Sequence, residues 1–413
     1  MPSLSPAVRP RHELLAWRNA IFVIFTLSGL SIATWAARLP EIKQNLDVST
    51  GSIGILILGM SAGSILGLMA SAWLMARFGA RTGMVFSLSC VAVGLVLIGI
   101  GAGVVFSPPL VFLGLALFGF GNGSVDVMMN VEGAAAETEL GKTVLPLMHA
   151  FFSVGTVLGA GIGAAASALE ISVVWHAVAM AALIALAVVI AVRYVPIREN
   201  LGDTTTTSSH KQDWNARLRA NLAVWADVRL ILIGVIMLGM AFAEGSATDW
   251  LALATVEGHG QSEPTGAIVF GVFVSAMTVG RVAGGPLVDR FGRVVVLQVS
   301  AVSAAIGLLV FILGPELWIV VIGTVLWGLG SALGFPLGMS AAAEGPNAAA
   351  RVSAVAMIGY LAFLVGPPVI GLLGDQIGLL NALFVVLVLV VLSGLASPAA
   401  RERKAKLASR PAS

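Results

Sequence analysis

SIGILILGMSAGSILGLMASAWLMARFGAR, residues 52–81, is matched without a gap by TGAIVFGVFVSAMTVGRVAGGPLVDRFGRV, residues 265–294. The match sets Gly67 on Gly280 and Phe78-Gly79 on Phe291-Gly292. Flanking stretches extend it: ATWAARLP (33–40) resembles ATDWLALA (247–254), FGFGNG (118–123) answers WGLGSA (327–332), and GTVLGAGIG (155–163) answers FLVGPPVIG (363–371). A chain that repeats itself in order over such a distance is built from two related halves.

Composition says what medium those halves occupy. Of 413 residues, 58% are hydrophobic and 11% charged, and the mean hydropathy is +0.98. This lies outside the range of soluble globular chains and marks an integral membrane protein. Forty-eight glycines against two tyrosines suit helices packed backbone to backbone in lipid, where water supplies no hydrophobic drive. A net charge of +2 gives no footing for nucleic acid. The single cysteine, Cys90, excludes a disulfide framework or a cysteine metal site. The basic start MPSLSPAVRPRHELLAWRN lacks a small-residue cleavage site before the apolar run, which reads as a retained first helix.

Apolar windows of about 20 residues, enough to cross a hydrocarbon core, fall near 19–37, 51–76, 82–103, 108–131, 146–168, 173–194, 229–252, 266–288, 294–313, 317–341, 351–374 and 379–398. The expected fold is therefore an all-α membrane protein with twelve transmembrane helices in two six-helix pseudo-symmetric halves, 19–194 and 229–398. Arg9, Arg11, Arg18, Arg77, Arg81, Arg290, Arg293 and the basic tail 399–413 fall on one side under that count. Cytoplasmic loops retain such residues, so both termini, including the tail 1–18, are expected in the cytoplasm of a bacterium. Residues 195–228 are polar and read as a cytoplasmic linker. Within it, Trp214, Leu218, Leu222 and Trp225 share one helical face, the pattern of an interfacial helix, although a plain linker accounts for them nearly as well.

GGPLVDRFGR, Gly284 to Arg293, resembles the inner-loop signature of the major facilitator superfamily, and the repeat and span count carry that resemblance over residues 19–400. GNGSVDVMMN (121–130) followed by LPLMHAFFSVG is most similar to its fucose-permease-like branch, in which a carboxylate of the fourth helix precedes an Asn by four residues, as Asp126 precedes Asn130. The resemblance implies alternating access and proton symport of a small, sugar-like solute. It also implies an inner gate latched by Asp289, Arg290 and Arg293, with Arg281 a turn or two above. The first-half copy departs from the signature, with Ala72 in place of Gly285 and Ala76 in place of Asp289, so only the second-half latch is expected.

Charged residues inside spans cost about 2.5–3.5 kcal/mol on insertion scales and usually face a cavity or a partner. Asn122, Asp126 and Asn130 stand at i, i+4 and i+8, one face of the fourth helix. Asp126 is the candidate proton carrier, and Asn122 and Asn130 offer donors and acceptors to a solute. His149, whose ordinary titration falls near neutral pH, is a second proton-coupling candidate, with a histidine satisfied inside the bundle as the equal alternative. In AFAEGSATDWL, Glu244 reads as a cavity residue or further proton site, and Asp249 reads as an outer-gate residue pairing with Arg38. Trp35 and Trp250 occupy matching places in the two halves; interfacial anchoring is the default for them, and stacking on a sugar ring is the sharper alternative.

GFGNG and GLGSALG lie inside helices with no preceding strand and no Walker lysine, so they are not phosphate loops. No metal or cofactor motif occurs, and enzyme chemistry is not expected. The expected partners are a small-molecule substrate, a proton or other coupling ion, and the lipid bilayer, with the protein acting as a monomer. Efflux of amphipathic compounds and a non-transporting membrane sensor or scaffold are the competing readings; Met128, Met129 and Met148 beside the polar stripe suit the first.

Overall fold

A computed structural model describes residues 9–142, 144–197, 226–344 and 348–402. The first half contains α1 (Arg11–Ala36), the short α2 (Leu39–Leu46), α3 (Thr50–Gly103), α4 (Pro108–Leu140), α5 (Leu145–Ala168) and α6 (Val173–Ala191). The second contains α7 (Val228–Leu253), α8 (Glu263–Phe291), α9 (Arg293–Leu313), α10 (Leu317–Ser331), α11 (Gly334–Ala342), α12 (Ala348–Ile377) and α13 (Leu379–Ala396). Among the described residues, eleven continuous helical stretches are long and apolar enough to span a bilayer. The expected twelve are recovered because the 54 residues of α3 are two spans joined through Gly79, whose φ of 76° and ψ of 165° are not helical. Residues 198–225, and with them most of the expected linker and its interfacial face, lie outside the described residues.

The repeat is visible in the backbone. Gly292, which the alignment sets on Gly79, joins α8 to α9 with φ 79° and ψ 157°. Positive φ is available to glycine at little cost, so the same residue makes the same break in both halves. The span expected at 317–341 is divided into α10 and α11 at Ala332 and Leu333. The first helix begins at Arg11, earlier than its apolar core, and α4 continues to Leu140, well past residue 131.

Small residues let these helices touch through their backbones. A Cβ on Gly63 would lie 2.0 Å from the Ala116 carbonyl oxygen, and one on Gly119 would lie 2.0 Å from that of Met60. Gly67 and Gly123 meet Phe120 and Ser64 in the same way, so α3 and α4 interlock over two turns. Buried polar anchors supplement the packing. The Trp327 indole donates to the Ala243 carbonyl at 3.2 Å, and Arg351 pairs with Asp227 at the start of α7.

The halves meet through α3 against α12 and α5 against α8. With twelve spans, both chain ends share one face of the bundle, called here the terminal face. The hydrogen bonds identified between the halves lie toward the opposite, far face. Lys43 Nζ contacts Glu257 Oε1 at 2.5 Å, Gly51 N–H donates to Asp375 Oδ2 at 2.9 Å, and Ser61 donates to the Phe363 carbonyl at 2.9 Å. Ser167 lies beside Glu263 at the α5 and α8 seam. On the terminal side Asp126, His149 and Asp289 are exposed. The two halves are thus closed at the far end.

Candidate functional site

Between the halves lies a cavity of about 300 Å³, at the lower end of the roughly 300–1,000 Å³ usual for small-molecule sites. Its wall is mainly apolar and aromatic, with Phe118 and Phe152 from the first half and Phe270, Tyr360 and Phe363 from the second. Polar groups enter from both sides: Asn122 and Thr156 from one, Glu244, Thr248, Asp249 and Arg281 from the other.

Arg281, expected near the inner gate, stands instead in the cavity wall and donates to Glu244 Oε1 at 2.6 Å. Both side chains remain partly open, at 33% and 19% exposure, so the pair is placed where a solute can compete for it. The position equivalent to Arg281 in the first half is Leu68, which also lines the cavity. One seam of the repeat is therefore charged on one side and apolar on the other.

The stripe on α4 divides into three environments. Asn122 reaches the cavity, and its Oδ1 accepts from Ser28 at 3.0 Å and Ser31 at 3.4 Å. Those serines on α1 fix the amide and leave it oriented by the first half alone. Asp126, one turn nearer the terminal face, is exposed and within electrostatic range of Tyr360 in the other half. Asn130 donates back to the Asp126 carbonyl at 2.9 Å and to its Oδ1 at 3.4 Å. Asn130 therefore supports Asp126 and does not stand in the cavity wall. His149 is exposed, lies edge-on to Phe25 at 5.1 Å and is within electrostatic range of Arg281. Asp126 and His149 are not in the cavity wall; each is within electrostatic range of a wall residue of the other half, Tyr360 and Arg281 respectively.

Several expectations need correction in place. Arg38 does not pair with Asp249; it is 2% exposed, pairs with Glu41 and donates to the Ile171 carbonyl at 2.6 Å. Asp249 is 6% exposed, lines the cavity and has no hydrogen bond or ion pair among the described residues. Its helix turns it inward because α7 places Glu244, Thr248 and Asp249 on one broad face. Trp35 and Trp250 are 2% and 0% exposed and line no part of the central cavity. Trp250 packs on Gly371, where a Cβ would lie 3.1 Å from its ring. Neither indole is an interfacial anchor or a stacking platform in this structure.

The expected inner latch is not assembled. Asp289 and Arg290 are exposed, with Arg290 over the Phe291 ring at 5.3 Å, while Arg293 is buried against Glu344 at 2.7 Å and the Ala400 carbonyl at 3.3 Å. These contacts stay within the second half. The groups that do bridge the halves, Lys43, Glu257 and Asp375, lie in helix ends and connections where charge is ordinary, so charge alone did not distinguish them.

Two pseudo-symmetric helical halves around a mid-bundle polar site define a secondary transporter fold with parallel repeats. The family model of the Major Facilitator Superfamily matches residues 21–356 and 250–413. The chain belongs to the Major Facilitator Superfamily. An uncharacterized transporter, y4wD, of Sinorhizobium fredii is 30% identical over 399 residues, covering 95% of this chain and all of the relative. The membrane protein MosC of Rhizobium meliloti is 26% identical over 388 residues, covering 92% of this chain and 89% of the relative. Among solved structures, the nucleoside transporter NupG superposes with a TM-score of 0.71 at 17% identity, covering 94% of this chain and 99% of that one. FucP in the outward conformation gives 0.63 at 15% identity, covering 95% and 100%. These likenesses establish the fold of a transporter.

Proposed function

We propose that the protein moves a small polar, sugar-like solute across the bacterial inner membrane together with a proton, both termini lying in the cytoplasm. The observation that carries the reading is the central cavity of about 300 Å³, in which Asn122 of one half faces the Glu244–Arg281 pair of the other. A solute with several hydroxyls can bond both walls at once, while the aromatic rings cover its apolar face. Such a ligand favours closure of the halves over it, as coupling requires. Asp126, one turn from Asn122 toward the terminal face, is the proton carrier in this reading, and His149 and the wall residue Glu244 are the further proton-coupling groups. With the termini cytoplasmic, the described state is open to the inside. The likeness to FucP, one structure of which is described as a fucose:proton symporter of E. coli, favours symport.

The preponderance of apolar side chains in the wall favours a second reading, proton-coupled efflux of an amphipathic compound. A thermal-unfolding screen of the purified protein separates the two. Monosaccharides and polyols raising the melting temperature, with hydrophobic amines and dyes inert, support the first, because binding to the native state stabilises it; the reverse pattern supports the second.

A further inference from the structure

Three helix-to-helix joins turn on a glycine with one backbone geometry: Gly79 (φ 76°, ψ 165°), Gly292 (φ 79°, ψ 157°) and Gly378 (φ 83°, ψ 148°). Three residues before them stand Ala76, Asp289 and Asp375. The chain therefore carries the pattern Asp-x-x-Gly twice at such a join, as DRFG at 289–292 and DQIG at 375–378. The first copy ends α8 on the terminal face. The second ends α12, which runs the opposite way, and so lies on the far face.

The two aspartates are in opposite conditions. Asp289 is exposed and makes no hydrogen bond or ion pair among the described residues. Asp375 reaches across to the other half, where its Oδ2 accepts the Gly51 N–H at 2.9 Å. Gly51 is in the first turn of α3, whose amides have no partner within the helix and whose dipole favours an anion. The carboxylate occupies the space glycine leaves open, since a Cβ at 51 would lie 2.5 Å from that oxygen and would push it aside. The seam around it is close-packed: Gly54 would meet the Pro367 carbonyl at 2.8 Å, and Gly371 would meet that of Thr50 at 2.8 Å. Lys43 adds a second tie, contacting Thr50 Oγ1 at 2.8 Å and both Glu257 oxygens at 2.5 and 2.7 Å.

We infer that Asp375 is the latch of the far face: seated on the amino end of α3, it holds the halves shut there, while Asp289 serves the terminal face and is idle in this state. The two copies of Asp-x-x-Gly then act alternately, one engaged in each conformation. A single carboxylate on a helix terminus biases such an equilibrium about five- to tenfold, enough to weight one state without freezing the cycle. The inference rests on alternation of access and is independent of which solute is carried.

The test uses Thr248→Cys in the cavity on a Cys90→Ala background, labelled by a membrane-impermeant maleimide in right-side-out and inside-out vesicles. Asp375→Ala is expected to raise the labelling rate from the far side about five- to tenfold and to lower it from the terminal side. Asp375→Asn, which keeps an acceptor but no charge, should fall between. Gly51→Ala displaces the carboxylate without removing it and should shift labelling in the same direction, while Asp289→Ala should shift it oppositely. Rates for Asp375→Ala and Gly51→Ala within twofold of the parent on both sides would overturn the assignment. Should Asp375→Ala fail to give monodisperse protein, Asp375→Asn and Gly51→Ala decide the matter, and these too must move the rates.

Discussion

The two halves share a backbone and differ where they face each other. Gly79 and Gly292 make the same break, and Gly67 and Gly280 both bring a second helix within backbone contact. In the cavity wall the correspondence ends, with Leu68 answering Arg281, and one turn beyond Asn122 it ends again, with Phe335 answering Asp126. Lipid explains the first observation. Helices there associate through close approach, so the residues that permit approach recur in both copies. The second follows from chemistry, since two identical walls would offer a solute only one set of partners. Divergence lets one half contribute an amide and, in the proposed function, a proton site, and the other an ion pair.

Replacing Asp126 by Asn tests that division most severely. Accumulation driven by a pH gradient should fall to background in proteoliposomes while exchange of solute across the membrane persists; full accumulation would take the proton site out of the first half. Arg281→Ala comes next. Loss of a partly open charged hydrogen bond amounts to about 1.5–3 kcal/mol, roughly tenfold or more in uptake rate at low solute, and Leu68→Ala at the matching position should cost only a few-fold. Equal losses at the two positions would erase the distinction.

The shared backbone can be tested by stability. Gly119→Val forces a side chain onto the Met60 carbonyl, which a Cβ alone would approach to 2.0 Å, and should destabilise by about 1–3 kcal/mol. Gly161→Ala, with nothing within 4 Å of the new atom, should lie within about 0.5 kcal/mol of the parent in detergent unfolding. The smallest effect is expected at the paired indoles. Trp35→Phe and Trp250→Phe line no part of the cavity, so solute affinity should change less than about twofold; a tenfold loss at either would restore a stacking role.

The fold was legible because its determinants are local and repeated: apolar length sets the spans, glycine at 79 and 292 sets the breaks, and the gapless match sets the halves. The site was legible in kind, since a charge in lipid must face something. Asn122 and Glu244 do line the cavity. Partners were not legible. That Arg281 faces Glu244, that Arg38 turns to Glu41 and leaves Asp249 alone, and that Trp35 and Trp250 are packed inside depend on helix rotation about the long axis. A hydropathy pattern with apolar residues on nearly every face does not record that rotation. Asn130 shows the same limit within one helix: spacing put it on the stripe with Asp126, but its amide turned back to its own backbone.

The central claim is that the cavity couples a proton to a small polar solute. Purified protein in proteoliposomes, given an acidic exterior and a polyol or sugar chosen by its thermal stabilisation, tests it most directly. The account predicts that internal solute rises above the external concentration and drains when a protonophore collapses the gradient. Internal solute that stops at equilibration, with or without the gradient, would contradict it.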